Sequence, residues 1–338
     1  MTVATVKPRF VIREYAPDDE APVVDLLNIA LGSGRAFERS TAFFRWKHQD
    51  NPFGRSLMLL ADDDRIVGLR AFLRWEFRAG GRTVLGVRAV DTATHPQYQR
   101  MGIFSQLTSA CLEQARATGV HLVFNTPNQY SMPGYLKLGW TQVGRALMFV
   151  RPLRPGRIAR SMLGSPPDDR TPSGPWRSVN ELLQHDAGVT DLLARDDALL
   201  ADGVRTARSA VFLGWRYARV PSLRYGAHWI GEGAPRAAAI FRMNRRRGLN
   251  ELMVCEMLIG DEQDGRRVLR EVLGMTRADY AVAHCAWGSA HRRVFVQTGF
   301  LPVPGGPHLT VRPLADSLGF DPTSFSAWRL ALGDLEIF

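Results

Sequence analysis

Lysine is almost missing from this 338-residue chain: Lys7, Lys47 and Lys137 are the only three. The 43 basic residues that face 33 acidic ones are therefore nearly all arginine. The resulting net charge of +10 attracts anions, whether nucleic acid, an acidic membrane surface or a phosphorylated small molecule, without choosing among them. Cysteine is also scarce. Cys111, Cys255 and Cys285 are odd in number and form no Cys-x-x-Cys pair, so buried reduced thiols in a cytosolic protein are expected. No apolar run approaches the length of a membrane span, and the opening "MTVATVKPRF" lacks the apolar core of a secretion signal. The expected location is cytoplasmic. The histidines show no metal-ligand spacing, so no metal is expected.

What is present is an ordinary globular composition, 45% apolar and 22% charged, on a chain long enough for two domains. The stretch "VRPLRPGRIARSMLGSPPDDRTPSGPWRS" (150–178) is rich in Pro, Gly, Ser and Arg, breaks every periodic pattern and reads as a connector. The segments on either side echo each other in order. "FFRWKHQDNP" (43–52) returns as "FLGWRYARVP" (212–221), matching Trp46 to Trp215 and Pro52 to Pro221. "RAGGRTVLGVRAVD" (78–91) and "NRRRGLNELMVCE" (244–256) each read as strand, tight turn and strand, matching Asp91 to Glu256. Each is followed by a helical segment, a buried-looking strand ("VHLVFN" or "YAVAHC") and a last match, "YLKLGW" with "FVQTGF". A period near half the chain means duplicated domains. The expected division is 1–152, a linker over 153–178, and 179–338, with each half an α+β domain built on a mixed sheet flanked by helices.

In the first half, Asp18 and Gly32 bracket a helix over 19–31. Phe104, Leu107, Cys111 and Ala115 form one apolar helical stripe that stops at Gly119. The loop before it, "HPQYQRMGIFSQL" (95–107), connects a strand to that helix. Backbone N–H groups and the positive end of a helix dipole converge in such a connection and favour an anion. Gly102 lets backbone approach a ligand closely.

The run "VRAVDTATHPQYQRMGIFSQL" followed by "NQYSMPGYLKLGW" resembles the GNAT superfamily of acyl-CoA-dependent N-acyltransferases. Gln99, Arg100, Met101, Gly102, Ile103 and Phe104 match its Gln/Arg-x-x-Gly-x-Gly/Ala motif, with Phe104 departing from the small final residue. Asn128, Tyr135, Gly139 and Trp140 match its second motif. The resemblance implies two GNAT-like domains. It places the backbone of Thr92, Ala93 and Thr94 along the cofactor groove and Asn128 on the pantetheine arm. It puts Tyr135 beside the thioester sulfur, where a phenol protonates the leaving thiolate. The tandem arrangement is similar to that of the enhanced-intracellular-survival aminoglycoside acetyltransferases.

The second half has Phe295 where Tyr135 stands and Gly288 where Asn128 stands, and it places Asp261, Glu262 and Asp264 where phosphates would lie. It is read as a degenerate copy that shapes the acceptor site. The attacking amine needs a base. The candidates are Asp91, its counterpart Glu256 and, by resemblance to the tandem family, the terminal carboxylate of Phe338, with Asp334 and Glu336 close by in sequence. The expected activity is transfer of an acyl group from acetyl-CoA, or another short acyl-CoA, directly to an amine of a small molecule such as an amino sugar. Nucleic acid is not the expected partner. The alternatives are a FemABX-like transferase using aminoacyl-tRNA, favoured by the basic charge, and a non-catalytic acyl-CoA-binding protein.

Overall fold

The computed structural model of the protein describes residues 10–32, 39–163, 174 and 176–335. Its elements alternate between two mixed sheets. In chain order the first are β1 (Val11–Glu14), α1 (Glu20–Leu31), α2 (Thr41–His48), β2 (Leu57–Asp62), β3 (Ile66–Ala79), β4 (Arg82–Thr94), α3 (Ile103–Ala117), β5 (Leu122–Asn125), α4 (Met132–Lys137) and β6 (Thr141–Arg145). Next come β7 (Met148–Pro152), α5 (Pro155–Met162), β8 (Arg177–Ser178), α6 (Val179–Leu183), α7 (Asp186–Leu199), β9 (Arg205–Thr206) and α8 (Ala210–Leu213). The last are β10 (Gly226–Ile230), β11 (Ala237–Arg246), β12 (Leu249–Ile259), α9 (Glu262–Met275), β13 (Tyr280–His284), α10 (Ala290–Gln297), β14 (Leu301–Val303), β15 (His308–Pro313) and α11 (Leu332–Leu335).

The protein is thus α+β, as expected, with helices flanking each sheet. The sheets run β1-β2-β3-β4-β5-β15-β6 and β14-β7-β13-β12-β11-β10-β8. Two compact units result. One holds residues 1–76, 85–142 and 310–317; the other holds 77–84, 143–309 and 318–338. Both exposed ends of a linear division are crossed. β15, from far down the chain, pairs antiparallel with β5 in the first sheet, while β7 lies between β13 and β14 in the second. The connector expected over 153–178 is also partly built: Pro155 opens α5 at a first-turn position that needs no N–H donor. Residues 164–173 and 175 of it lie outside the described residues.

Local chemistry explains the turns and the helix packing. Gly80 and Gly81 both take positive φ, 52° and 78°, which is the turn that joins two twisted strands with two residues. Arg247 and Gly248 repeat it at 51° and 76°. In the first unit, α3 lays Ile103, Leu107, Cys111 and Ala115 onto the sheet, each at most 1% exposed. Gly68 of β3 has no side chain to block this approach: a Cβ there would stand 2.5 Å from Ile103 Cγ2. In the second unit, Val268, Leu269 and Val272 of α9 pack against Phe149 of β7 and Ala281 and Ala283 of β13 in one core.

Each unit's central parallel pair opens partway along. β4 and β5 pair only from Gly86–Leu122 to Arg88–Phe124, and β12 and β13 from Glu251–Tyr280 to Val254–Ala283. Just beyond, each first strand is irregular. Asp91 has φ 38° inside β4, and the β11–β12 register slips between Ile240 and Phe241, which leaves Cys255 as an extra residue beside Glu256. Such bulges bend a strand away from its neighbour. The strands diverge where the candidate residues lie.

Candidate active site

In the first unit the divergence opens a cavity of about 380 Å³, within the range of ligand pockets. Thr92, Ala93 and Thr94 wall it from the free end of β4, Gln99 and Phe104 from the loop and first turn of α3, Asn128 and Ser131 from the β5–α4 connection, and Tyr135 from α4 itself. Tyr130, Gly134 and the end of α1 at Ala30 and Leu31 complete it. The sequence candidates of the cofactor groove therefore come together, with exceptions. Arg100, Met101 and Gly102 are exposed, Ile103 is buried in the core, and none of these four side-chain positions is a wall of the cavity. Arg100 and Gly102 both hold positive φ, 67° and 79°, and Gly102 is the N-cap of α3, where no side chain caps the first-turn amides. Those amides carry the positive end of the helix dipole.

Phe104 is a correction to the apolar stripe. Ile103, not Phe104, starts the buried face; the Phe104 ring stands at the cavity wall, edge-on to Tyr135 at 5.7 Å and 82°. Asn128 also has local work to do. Its Oδ1 accepts from the backbone N–H of Tyr130 and Ser131, both at 3.0 Å, and so fixes the turn into α4 that carries Tyr135.

Tyr135 is 4% exposed. Its ring meets Trp140 at 5.2 Å, and its hydroxyl accepts a hydrogen bond from Arg70 Nη1 at 2.9 Å. The same nitrogen donates to Thr92 Oγ1. Sequence reasoning passed over Arg70. Its only mark is a charged residue in the middle of the apolar β3 run "IVGLRAFL".

The three candidate bases end in other places. Asp91 is not a cavity wall. Its Oδ2 lies 2.6 Å from Lys47 Nζ and 2.9 Å from His48 Nε2, and His48 Nδ1 bonds Ser56 Oγ at 2.9 Å. Burial alone would raise the Asp91 pKa, but the Lys47 ammonium and His48 more than offset it and hold the carboxyl far below the usual range. A carboxylate held so tightly charged is a poor proton acceptor. Glu256 is buried in the second unit, accepting from Arg208 Nη1 at 3.0 Å and from the Tyr217 hydroxyl at 3.2 Å. Burial raises its pKa to about 7, with Asp334 and Asp196 adding to the rise and Arg208 opposing it. Phe338 and Glu336 lie outside the described residues. Asp334 is buried, accepting from Thr206 Oγ1 at 2.8 Å. Among the described residues, no carboxylate or imidazole walls the cavity.

The equivalent divergence in the second unit is filled. Its cavity is about 30 Å³, room for one or two waters. Asp196 Oδ1 accepts from the freed Ile259 N–H at 2.8 Å and meets His291 Nε2 at 2.8 Å; that ring nitrogen is also 3.2 Å from Met257 O. Backbone groups that a ligand would otherwise find are thus occupied by the chain itself. At α9, Asp261 caps the helix, with Oδ1 accepting from Asp264 N–H at 2.9 Å, so a carboxylate already takes the anion position. Phe295, which the sequence comparison sets against Tyr135, is buried at 2% exposure.

The first unit is thus a mixed sheet whose central strands part to form a pocket beside an uncapped helix N-terminus. Residues 11–143 match the model of the acetyltransferase (GNAT) domain family. No curated protein matches the sequence. Among solved structures, a conserved Enterococcus faecalis V583 protein of unknown function superposes with TM-score 0.65 at 13% identity, over 90% of this chain and 73% of its own. A GCN5-related N-acetyltransferase from Anabaena variabilis gives 0.64 at 13%, over 90% and 73%. Saccharomyces cerevisiae N-myristoyltransferase with bound myristoyl-CoA gives 0.56 at 11%, over 92% and 83%. At these identities the likeness is one of fold. Among the described residues no helix is long and apolar enough to cross a membrane, and no group of His, Cys, Asp and Glu is arranged to hold a metal ion.

Proposed function

We propose that the chain is an acyl-CoA-dependent N-acyltransferase that passes an acetyl or other short acyl group directly to an amine of a small molecule, with an amino sugar as the favoured acceptor class. The observation that carries this reading is Tyr135, a phenol on the wall of a pocket that also takes in Gln99 and Phe104, which flank the uncapped N-terminus of α3. The first-turn amides of α3 and the loop with Arg100 and Gly102 suit a diphosphate, the free edge of β4 at Thr92–Thr94 suits the pantetheine amides, and Asn128 lies along the same wall. The GNAT family match over 11–143 and a fold neighbour that binds an acyl-CoA support it.

In the reaction, the amine nitrogen bonds to the thioester carbonyl carbon and the carbon–sulfur bond breaks. The amine's surplus proton leaves to water. The departing thiolate takes a proton from the Tyr135 hydroxyl, which water then restores. The second unit, with its opening filled by Asp196 and His291 and its helix capped by Asp261, serves as a degenerate copy without its own acyl-CoA. Mixing the protein with acetyl-CoA and a panel of amines, and following free thiol, tests the proposal. Tyr135→Phe should lose turnover and keep acetyl-CoA affinity. A protein that binds no CoA ester, but binds tRNA with steep salt dependence, would belong to the aminoacyl-tRNA class instead.

A further inference from the structure

Arg70 lies at the centre of β3 with 0% exposure. A guanidinium so deeply buried ordinarily meets a carboxylate. Among the described residues Arg70 has none, and its Nε and Nη2 are buried without a hydrogen-bond partner. Aromatic faces surround it instead: the guanidinium carbon lies 4.9 Å from the Phe72 ring centre, 5.1 Å from that of Tyr135 and 5.7 Å from that of Phe104. Such faces hold a cation through their quadrupoles and offer no lone pair that competes for a hydroxyl hydrogen.

That difference decides where two protons point. The remaining nitrogen, Nη1, has two hydrogens, one given to Thr92 Oγ1 and one to the Tyr135 hydroxyl at 2.9 Å. Arginine has no acceptor atom, so both hydroxyls accept and each keeps its own hydrogen for another partner. Neither donates to another described residue, and both residues wall the cavity. A carboxylate in place of the guanidinium would draw both hydrogens away from the pocket.

We propose that Arg70 is a positioning residue that turns the hydroxyl hydrogens of Tyr135 and Thr92 into the cavity, toward the leaving sulfur and the acyl group. This rests on the acyl-transfer reading above. It assigns to the arginine the orientation of the proton that Tyr135 delivers, and to Thr92 a donor role its side chain shares with the strand backbone.

The test compares Arg70→Met and Arg70→Lys in wild-type and Tyr135→Phe backgrounds, with acetyl-CoA affinity measured by calorimetry. In the wild-type background Arg70→Met should lower kcat by about 100-fold, the low end of what a placed acid contributes, and leave acetyl-CoA affinity unchanged. Arg70→Lys, which keeps a donor, should recover part of the loss. In the Tyr135→Phe background Arg70→Met should cost little more, because the two residues act as one unit. Equal losses in both backgrounds, or an unchanged kcat, overturn the proposal. A substrate-free reading covers the case of a poorly folding Met variant. The Tyr135 Cζ resonance of ¹³C-tyrosine protein, assigned with Tyr135→Phe, should move in Arg70→Lys, and a stationary resonance overturns the inference alone. A wild-type protein that binds no acetyl-CoA overturns the acyl-transfer reading, a different failure.

Discussion

Replacing Asp91 by Asn separates a structural carboxylate from a catalytic one. The side chains of Lys47 and Asp91 are 6% and 9% exposed and their charged atoms 2.6 Å apart, while His48 is fully buried. Asn keeps the shape and a hydrogen-bond acceptor for His48 but leaves the Lys47 ammonium without its counter-charge. Removing one partner from a buried ion pair costs about 3–5 kcal/mol, a large share of the roughly 5–15 kcal/mol that holds a typical domain folded. Urea unfolding of Asp91→Asn should show the loss as a lower midpoint. Adding Lys47→Met should return most of it, since an apolar replacement of both partners is often neutral or better. Thiol release by the folded fraction should stay close to wild type. An Asp91→Asn protein as stable as wild type, yet without turnover, would refute the structural assignment and make Asp91 the base.

Three further outcomes follow from the packing and charges. Gly68→Ala forces a methyl against Ile103, so stability should fall by about 1–3 kcal/mol; because Ile103 opens α3, calorimetry should also show weaker acetyl-CoA binding. The Asp91 carboxyl holds a proton less readily folded than unfolded, so its contribution is complete above about pH 4 and is lost as pH falls through the lower folded value. The acid limb of a stability–pH curve should therefore be shallower in Asp91→Asn. Glu256 has the opposite sign. Its pKa rises from 4.5 to about 7 on folding, so it favours the folded state at acid pH and the benefit disappears as pH rises from 4.5 to about 7. Comparing urea midpoints at the two ends of that window should show wild type losing stability relative to Glu256→Gln.

Much of the architecture was legible because it is written in local chemistry. The two-residue turns at Gly80–Gly81 and Arg247–Gly248, the stop at Gly32 and most of the apolar stripe of α3 each announce themselves within a few residues. Only the first member of the stripe differed, Ile103 in place of Phe104, since both are large and apolar and the close approach of Ile103 to Gly68 is not visible in the sequence. The cavity walls at Thr92–Thr94, Gln99, Asn128 and Tyr135 were found through motif resemblance. The rest depended on partners far away in sequence. Nothing near Asp91 announces Lys47 and His48 as its neighbours, and although Phe72 lies two residues from Arg70, nothing nearby announces Phe104 and Tyr135. The pairing of β5 with β15 joins residues that no periodicity connects.

That last pairing sets an order of events during synthesis. β5 has emerged by residue 125, yet its antiparallel neighbour begins at residue 308, so the strand that underlies the Tyr135 pocket waits with one edge unpaired. At about 5–20 residues per second the wait is on the order of ten seconds or more, during which that edge is open to any passing strand. Nascent chains stopped before residue 308 should be the ones that chaperones hold, because the first sheet cannot close on β5 until β15 has been made.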